Sequence, residues 1–233
     1  MLLGGDPRTV LAAGNCLTQN AWLCGRYLTV YGSTIVSGLV SHVLLTVVSV
    51  GLGFALSIPL AVAGYWWRPV APGLLAVTNL AYTIPSLALF ALLVPVTGLT
   101  ATTVVIGLVL YTLIVLVRNT LTGLYGVPAE VRDAARGMGY GRWRMLTTVE
   151  LPLAAPAVFA GLRVATVSTV ALVTVGAVID HGGLGNLLSD AFNTDFHAEA
   201  LTATVLCVAL AAAFDLVLVG GQRLVEHRYG GRR

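Results

Sequence analysis

An all-α, polytopic membrane protein with about five transmembrane helices is the fold class the sequence predicts. Three observations predict it. Only 10% of the 233 residues are charged and 57% are apolar, whereas a soluble domain carries about 25% charged residues. Too little polar surface is left to wet a globule of this size. Apolar stretches recur that can cross a hydrocarbon core of roughly 30 Å, which takes about 20 helical residues. Arginines are also shared unevenly between the connections, as the positive-inside rule requires.

Residues 1–30 are mixed and carry Asp6, Arg8 and Arg26. They read as an external segment, a surface helix lying before the first span, with a sixth span as the alternative. The first span runs from about Ile35 to Gly64 and the second from about Val70 to Val96. Pro85 interrupts the second, removing a helix hydrogen bond and kinking it, and Ser86 can satisfy the freed carbonyl. The third span, Ala101 to Val117, is short but has no charge. The fourth, about Ala154 to Ile179, contains Arg163, and the fifth, about Ala198 to Gly220, contains Asp215. The domain plan is therefore an external segment at 1–30 and a transmembrane domain at 31–222. A long connection at 118–153 lies within that domain, and an Arg-rich tail follows at 223–233.

With five spans, eleven arginines fall on one side and only Arg8 and Arg26 on the other. That bias makes the 118–153 loop and the C-terminus cytoplasmic and the N-terminus external. Trp66, Trp67 and Trp143 then lie at the inner boundary and Trp22 lies outside, the interfacial placement that indoles favour.

All thirteen basic residues are Arg. Without Lys there is no Walker A loop and no Schiff-base nucleophile. Cys16, Cys24 and Cys207 form neither metal-ligand spacing nor a disulfide framework. His42, His181 and His197 have no spacing for metal or proton relay. The chain reads as non-catalytic, without metal or nucleic-acid ligand; if ATP drives it, another chain hydrolyses the ATP.

The informative segment is Val127 to Pro156. Pro128 starts a helix, Glu130 favours its first turn, and Val131, Ala134 and Ala135 form a small apolar strip. Gly137 and Gly139 end it. A second short helix, Arg142 to Val149, returns the chain to the membrane, Leu151-Pro152 closes the loop, and Pro156 falls in the first turn of span four. A small-residue helix of this kind suits either docking into a groove on a partner or resting on the membrane surface.

Here the chain resembles the inner-membrane permease subunits of binding-protein-dependent ABC importers. Their loop signature reads E-A-A, three residues, G, nine residues, I-x-L-P. This chain has Asp133-Ala134-Ala135, Gly139 and Val149-Glu150-Leu151-Pro152, with both spacings kept. Further stretches resemble the osmoprotectant branch of that family: Thr83-Ile84-Pro85-Ser86-Leu87-Ala88-Leu89, Arg118-Asn119-Thr120, Gly161-Leu162-Arg163-Val164-Ala165-Thr166 and Gly182-Gly183-Leu184-Gly185.

The resemblance implies a type I importer-like permease fold, with Glu130, Asp133, Ala134, Ala135, Gly139, Leu151 and Pro152 in the loop that couples to the ATPase. It implies import of glycine betaine, choline, carnitine or proline, with methionine or another small solute as the alternative. The implied partners are ATPase subunits that bind ATP and Mg, an extracellular or periplasmic binding protein, a second permease (identical or not) and membrane lipid.

Inside the membrane, Arg163 and Asp215 both fall roughly 9–14 Å from the cytoplasmic surface at 1.5 Å per residue. Charges there are costly unless paired or hydrated, which predicts an ion pair between spans four and five. The rival is a snorkelling Arg163 beside a wet cavity at Asp215. Tyr82, Pro85 and Ser86 are candidates for the translocation path, and Gly182, Gly183 and Gly185 for a compact external turn near a gate. No cluster of aromatic residues at mid-depth forms a cage for a quaternary ammonium, which suits selectivity held by a separate binding protein. An ion-gradient carrier is the rival from another class, but repeated halves and midplane acids are lacking apart from Asp215. A membrane-embedded hydrolase ranks lower, since the spans contain no Ser–His or paired-carboxylate arrangement.

Overall fold

The computed structural model describes residues 15–229. Residues 1–14, with Asp6 and Arg8, and residues 230–233, with Arg232 and Arg233, lie outside the described residues. Described residues that form regular structure are helical, and none forms a strand. The elements are α1 (Gly25–Val30), α2 (Gly32–Trp66), α3 (Val70–Thr83), α4 (Ser86–Thr97), α5 (Ala101–Tyr125), α6 (Ala129–Gly137), α7 (Arg142–Met145), α8 (Leu151–Val173), α9 (Leu184–Thr194) and α10 (His197–Tyr229). A π-helical turn, Leu146–Glu150, joins α7 to α8, and a 3₁₀ segment, Thr174–Ile179, follows α8.

Among the described residues, four helical runs are long and apolar enough to cross a membrane: Gly32–Trp66, Ala101–Tyr125, Arg142–Ile179 and His197–Val225. The expected second crossing is not a kinked helix but two shorter ones. Pro85 has no N–H to donate, and it forces the preceding Ile84 to extended backbone (φ −70°, ψ 124°). The two halves still run the full length of α5 in antiparallel fashion. Arg118 Nη2 donates to Asn79 Oδ1 at 3.1 Å, the Tyr111 hydroxyl donates to the Ile84 carbonyl, and Thr97 Oγ1 lies 2.5 Å from Thr103 Oγ1. The Ile84 carbonyl, at the break itself, is thus satisfied from α5.

Helix α5 is the centre, packed against α2, α3, α4 and α8. It is largely buried, whereas α10 is almost wholly exposed. Helix α10 is therefore peripheral, with Val205, Val208, Leu216, Val217 and Leu224 turned outward, as lipid permits. One cluster joins Leu45, Phe90, Val104, Leu108, Val173 and Ile179, and another joins Val62, Leu124, Leu146 and Ala154 at the opposite end.

Four expectations need correction. The third crossing extends to Tyr125, because Arg118 has Asn79 as partner and so does not end the helix. Pro152 does not close the loop. The chain stays helical from Arg142 onward, and the π-turn just before Leu151 accommodates the N–H that Pro152 lacks. Residues 223–229 are no separate tail but the last turns of α10. Finally, Cys16 and Cys24 are joined in a disulfide, with Cα atoms 5.5 Å apart. The turn from Cys16 to Asn20 brings back together two cysteines only eight positions apart.

That disulfide loop is docked on the α9–α10 corner. Asn20 Oδ1 accepts the His197 backbone N–H at 2.8 Å, capping an otherwise orphan donor of α10. Asn20 Nδ2 donates to the Asp195 carbonyl at 2.6 Å. Trp22 stacks flat on the His197 ring with centroids 4.3 Å apart, a role beyond interfacial anchoring. Cys24, Tyr27, Ile35, Leu187, Ala198 and Ala203 form the core beneath.

Candidate functional site

Helix α6 is built as a short, sharply delimited knob. Pro128 is its N-cap, Glu130 lies in the first turn and Arg136 in the last, each where the helix dipole favours its charge. At its end Tyr140 N–H donates to the Ala135 carbonyl (3.1 Å) and Gly139 N–H to that of Arg136 (2.9 Å). Gly139 has φ +79°. This is the Schellman arrangement, and it needs a left-handed residue at that position. Gly137 is still helical, so Gly139 alone is the stop.

The two faces of α6 differ. Val131, Ala134 and Met138 are exposed on one side. At 100° per residue, Ala129, Arg132, Asp133 and Arg136 lie on the opposite side, lining a cavity of about 690 Å³ with Tyr65 and Trp66. Ala135 is buried rather than part of the exposed strip. Asp133 is paired with Arg136 at 2.9 Å, both well exposed.

A polar chain that the sequence does not disclose ties α6 to the crossings. Arg132 Nη1 donates to the Tyr65 hydroxyl (3.2 Å), which donates to Glu150 Oε1 (2.7 Å). Glu150 is buried. Tyr65 belongs to α2 and Glu150 to the turn entering α8, so α6 is hydrogen-bonded to a residue that bridges two crossings. Glu150 occupies the variable position of the Val149-x-Leu151-Pro152 motif. An acid placed there among apolar residues is the one available signal. Leu151 packs with the cluster of Val62, Leu124, Leu146 and Ala154.

At the other end of α2, Gly182, Gly183 and Gly185 form a packed turn rather than a loose loop. A Cβ on Gly183 (φ +58°) would lie 2.7 Å from the His42 backbone nitrogen. One on Gly182 would meet Ala177 N at 2.5 Å, and one on Gly185 the Thr174 carbonyl oxygen at 2.4 Å. Asn186 Oδ1 accepts the Gly182 N–H at 2.8 Å. His42 is fully buried, with Nε2 3.0 Å from the Val170 carbonyl. Beside this turn lies a cavity of about 650 Å³ lined by Ser37, Ser41, Asp180, His181 and Asp190 among others. His42 and Tyr65 are 23 residues apart on one helix, about 35 Å, so the structure keeps the glycine turn and the α6 knob at opposite ends.

Between them, Tyr82 and Pro85 are exposed beside the break in the second crossing, and Ser86 is half-buried. Tyr82 meets Tyr111 edge to face at 5.7 Å. Arg163 and Asp215 are joined in a bidentate pair, Nε to Oδ1 at 2.7 Å and Nη2 to Oδ2 at 2.9 Å. The pair fastens the peripheral α10 to α8. Among the described residues no group of His, Cys, Asp and Glu is arranged to hold a metal ion.

Residues 53–231 match the family described as "binding-protein-dependent transport system inner membrane component". The glycine betaine/carnitine/choline transport system permease protein OpuCD of Bacillus subtilis is 33% identical over 195 residues, covering 83% of this chain and 85% of that protein. The osmoprotectant import permease protein OsmW of Salmonella typhimurium is 36% identical over 183 residues, covering 76% and 85%. Among solved structures, a chain of the MetNI methionine ABC transporter in an inward-facing conformation superposes with a TM-score of 0.74. It is 23% identical and covers 82% of this chain and 95% of that one. At that identity the likeness establishes the fold.

Proposed function

The chain belongs to the family of binding-protein-dependent transport system inner membrane components, and from that membership we propose that it is the permease subunit of an ATP-driven importer of small osmoprotectants. Glycine betaine, choline, carnitine and proline are the candidate solutes, moved by alternating access. The observation that carries the reading is α6. The family's loop signature coincides with a knob whose apolar face is open for docking while its other side is hydrogen-bonded to the crossings. The named activities of OpuCD and OsmW support the osmoprotectant branch over the methionine alternative, because both match at higher identity than the methionine transporter does.

The subunit itself performs no chemistry. ATP and Mg belong to separate ATPase subunits, whose closure pushes on Val131, Ala134 and Met138. Arg132, Tyr65 and Glu150 pass that displacement to α2 and α8, as rigid-body rocking requires. Five crossings are too few to enclose a path, so a second permease completes it, and a binding protein delivers solute from outside. Tyr82, Pro85 and Ser86 contribute to the path at the break, and the glycine turn holds the external end.

The N-terminus faces outward and the α6 loop inward. The Cys16–Cys24 disulfide supports this orientation, since such bonds persist in oxidising compartments. Gene-dependent uptake of labelled betaine, choline, proline and methionine, at low and high osmolarity, tests the assignment. Uptake of methionine alone would overturn the osmoprotectant reading.

A further inference from the structure

The cavity on the membrane side of α6 has a composition that docking to an ATPase does not use. Arg68, Arg132, Arg136 and Arg142 line it, against two carboxylates, Asp133 and Glu150. Both acids are already engaged, Asp133 by Arg136 and Glu150 by the Tyr65 hydroxyl. Two of the guanidiniums are held in place. Arg142 donates from Nη2 to the Trp66 carbonyl at 3.1 Å and stacks over the Trp66 ring at 4.4 Å, and Arg132 is tied to Tyr65.

The surroundings set the depth. Trp66 meets Trp143 edge to face at 4.5 Å, and Trp143 and Trp67 are exposed. Indoles gather where hydrocarbon meets headgroups. The cavity therefore opens at headgroup level, beside the ends of α2 and α3. The face of α6 that lines it is turned about 180° from Val131, Ala134 and Met138, so a protein seated on the apolar strip does not fill it.

We propose that this cavity is a binding site for an anionic membrane phospholipid, with the phosphate held by Arg68 and Arg142 and the glycerol end lying against Trp66 and Trp143. Basic pockets at the inner ends of transmembrane helices suit lipid phosphates, and planar guanidiniums match phosphate oxygens in two-pronged fashion. The proposal rests on the membrane-subunit reading, and its inner-leaflet address rests on the orientation given above. A lipid there would brace α6 from the side opposite the ATPase.

The test uses the full transporter with its ATPase, in nanodiscs of phosphatidylcholine and phosphatidylglycerol, with retained lipid read by native mass spectrometry. The Arg68→Gln/Arg142→Gln double variant should lose retained phosphatidylglycerol by roughly fivefold per charge removed. Arg144→Gln removes a charge from the same loop, at a residue that does not itself line the cavity but stacks on Tyr140 at its rim, and it should retain wild-type lipid. Arg142→Lys keeps the charge and should retain most of it.

Unchanged lipid in the double variant, or an equal loss in Arg144→Gln, overturns the site. Loss of ATPase co-purification with lipid unchanged also overturns it and gives the cavity to a protein partner. Both nanodisc leaflets have the same lipid, so this readout does not depend on orientation. Labelling of the α6 loop from outside intact cells would instead sink the orientation.

Discussion

Replacing Gly183 with alanine should loosen the end of the fold that holds the glycine turn, by an amount that the local geometry sets. Gly183 has φ +58° and ψ −117°, a conformation nearly closed to residues with a Cβ, and forcing it costs about 1–3 kcal/mol. The new methyl would also lie 2.7–2.8 Å from His42 N, Cα and Cβ. Those atoms belong to the body of α2 and cannot swing aside, so overpacking adds about 1–3 kcal/mol. The total is about 2–6 kcal/mol. Gly98 supplies the control, since its φ is +74° but the nearest atom to an added Cβ is Thr100 Cγ2 at 3.6 Å. Gly98→Ala should therefore show the backbone strain without the clash. Thermal unfolding of both variants in detergent, followed by loss of the monodisperse peak, measures the difference. Equal losses would show that the glycine turn is not seated against the first crossing, and the close packing claimed for it would be wrong.

Reversing Arg163 to Glu or Asp215 to Arg should each impair expression and uptake, and the double reversal should restore both; failure of rescue would deny the pair a structural role. Tyr111→Phe leaves the Ile84 carbonyl unsatisfied and should cost about 1–3 kcal/mol of stability, read by the same thermal assay, with wild-type stability refuting the cap. Ala134→Trp places bulk on the exposed strip of α6 without touching its polar face. It should preserve membrane insertion but abolish ATPase co-purification and uptake; unimpaired uptake would remove α6 from the coupling role.

Much of this architecture is legible in the sequence because lipid imposes simple rules. Crossing length and the depth of a charge within a crossing are arithmetic, and so the meeting of Arg163 and Asp215 is legible from two helices of known rise. The α6 stop is legible because a left-handed turn favours glycine. What escapes depends on which faces meet. Nothing in the chain says that Tyr111 reaches the Ile84 carbonyl at the break before Pro85, or that Tyr65 reaches Glu150 across 85 positions. Arg118 looks like a boundary because an isolated charge ends an apolar run, and only the neighbouring Asn79 reverses that. Three cysteines carry no pairing rule, so the Cys16–Cys24 link appears only once the turn between them is folded.

The N-terminal loop also has consequences for the order in which the polypeptide is made. Its covalent ring needs only residues 16 to 24, so it can close while most of the chain is still on the ribosome. Its seat cannot exist so early, because Asn20 grips His197, 177 positions downstream, at the start of the final helix. The ring is thus shaped first and parked late, and its docking marks a chain in which every crossing before the final helix has been synthesised.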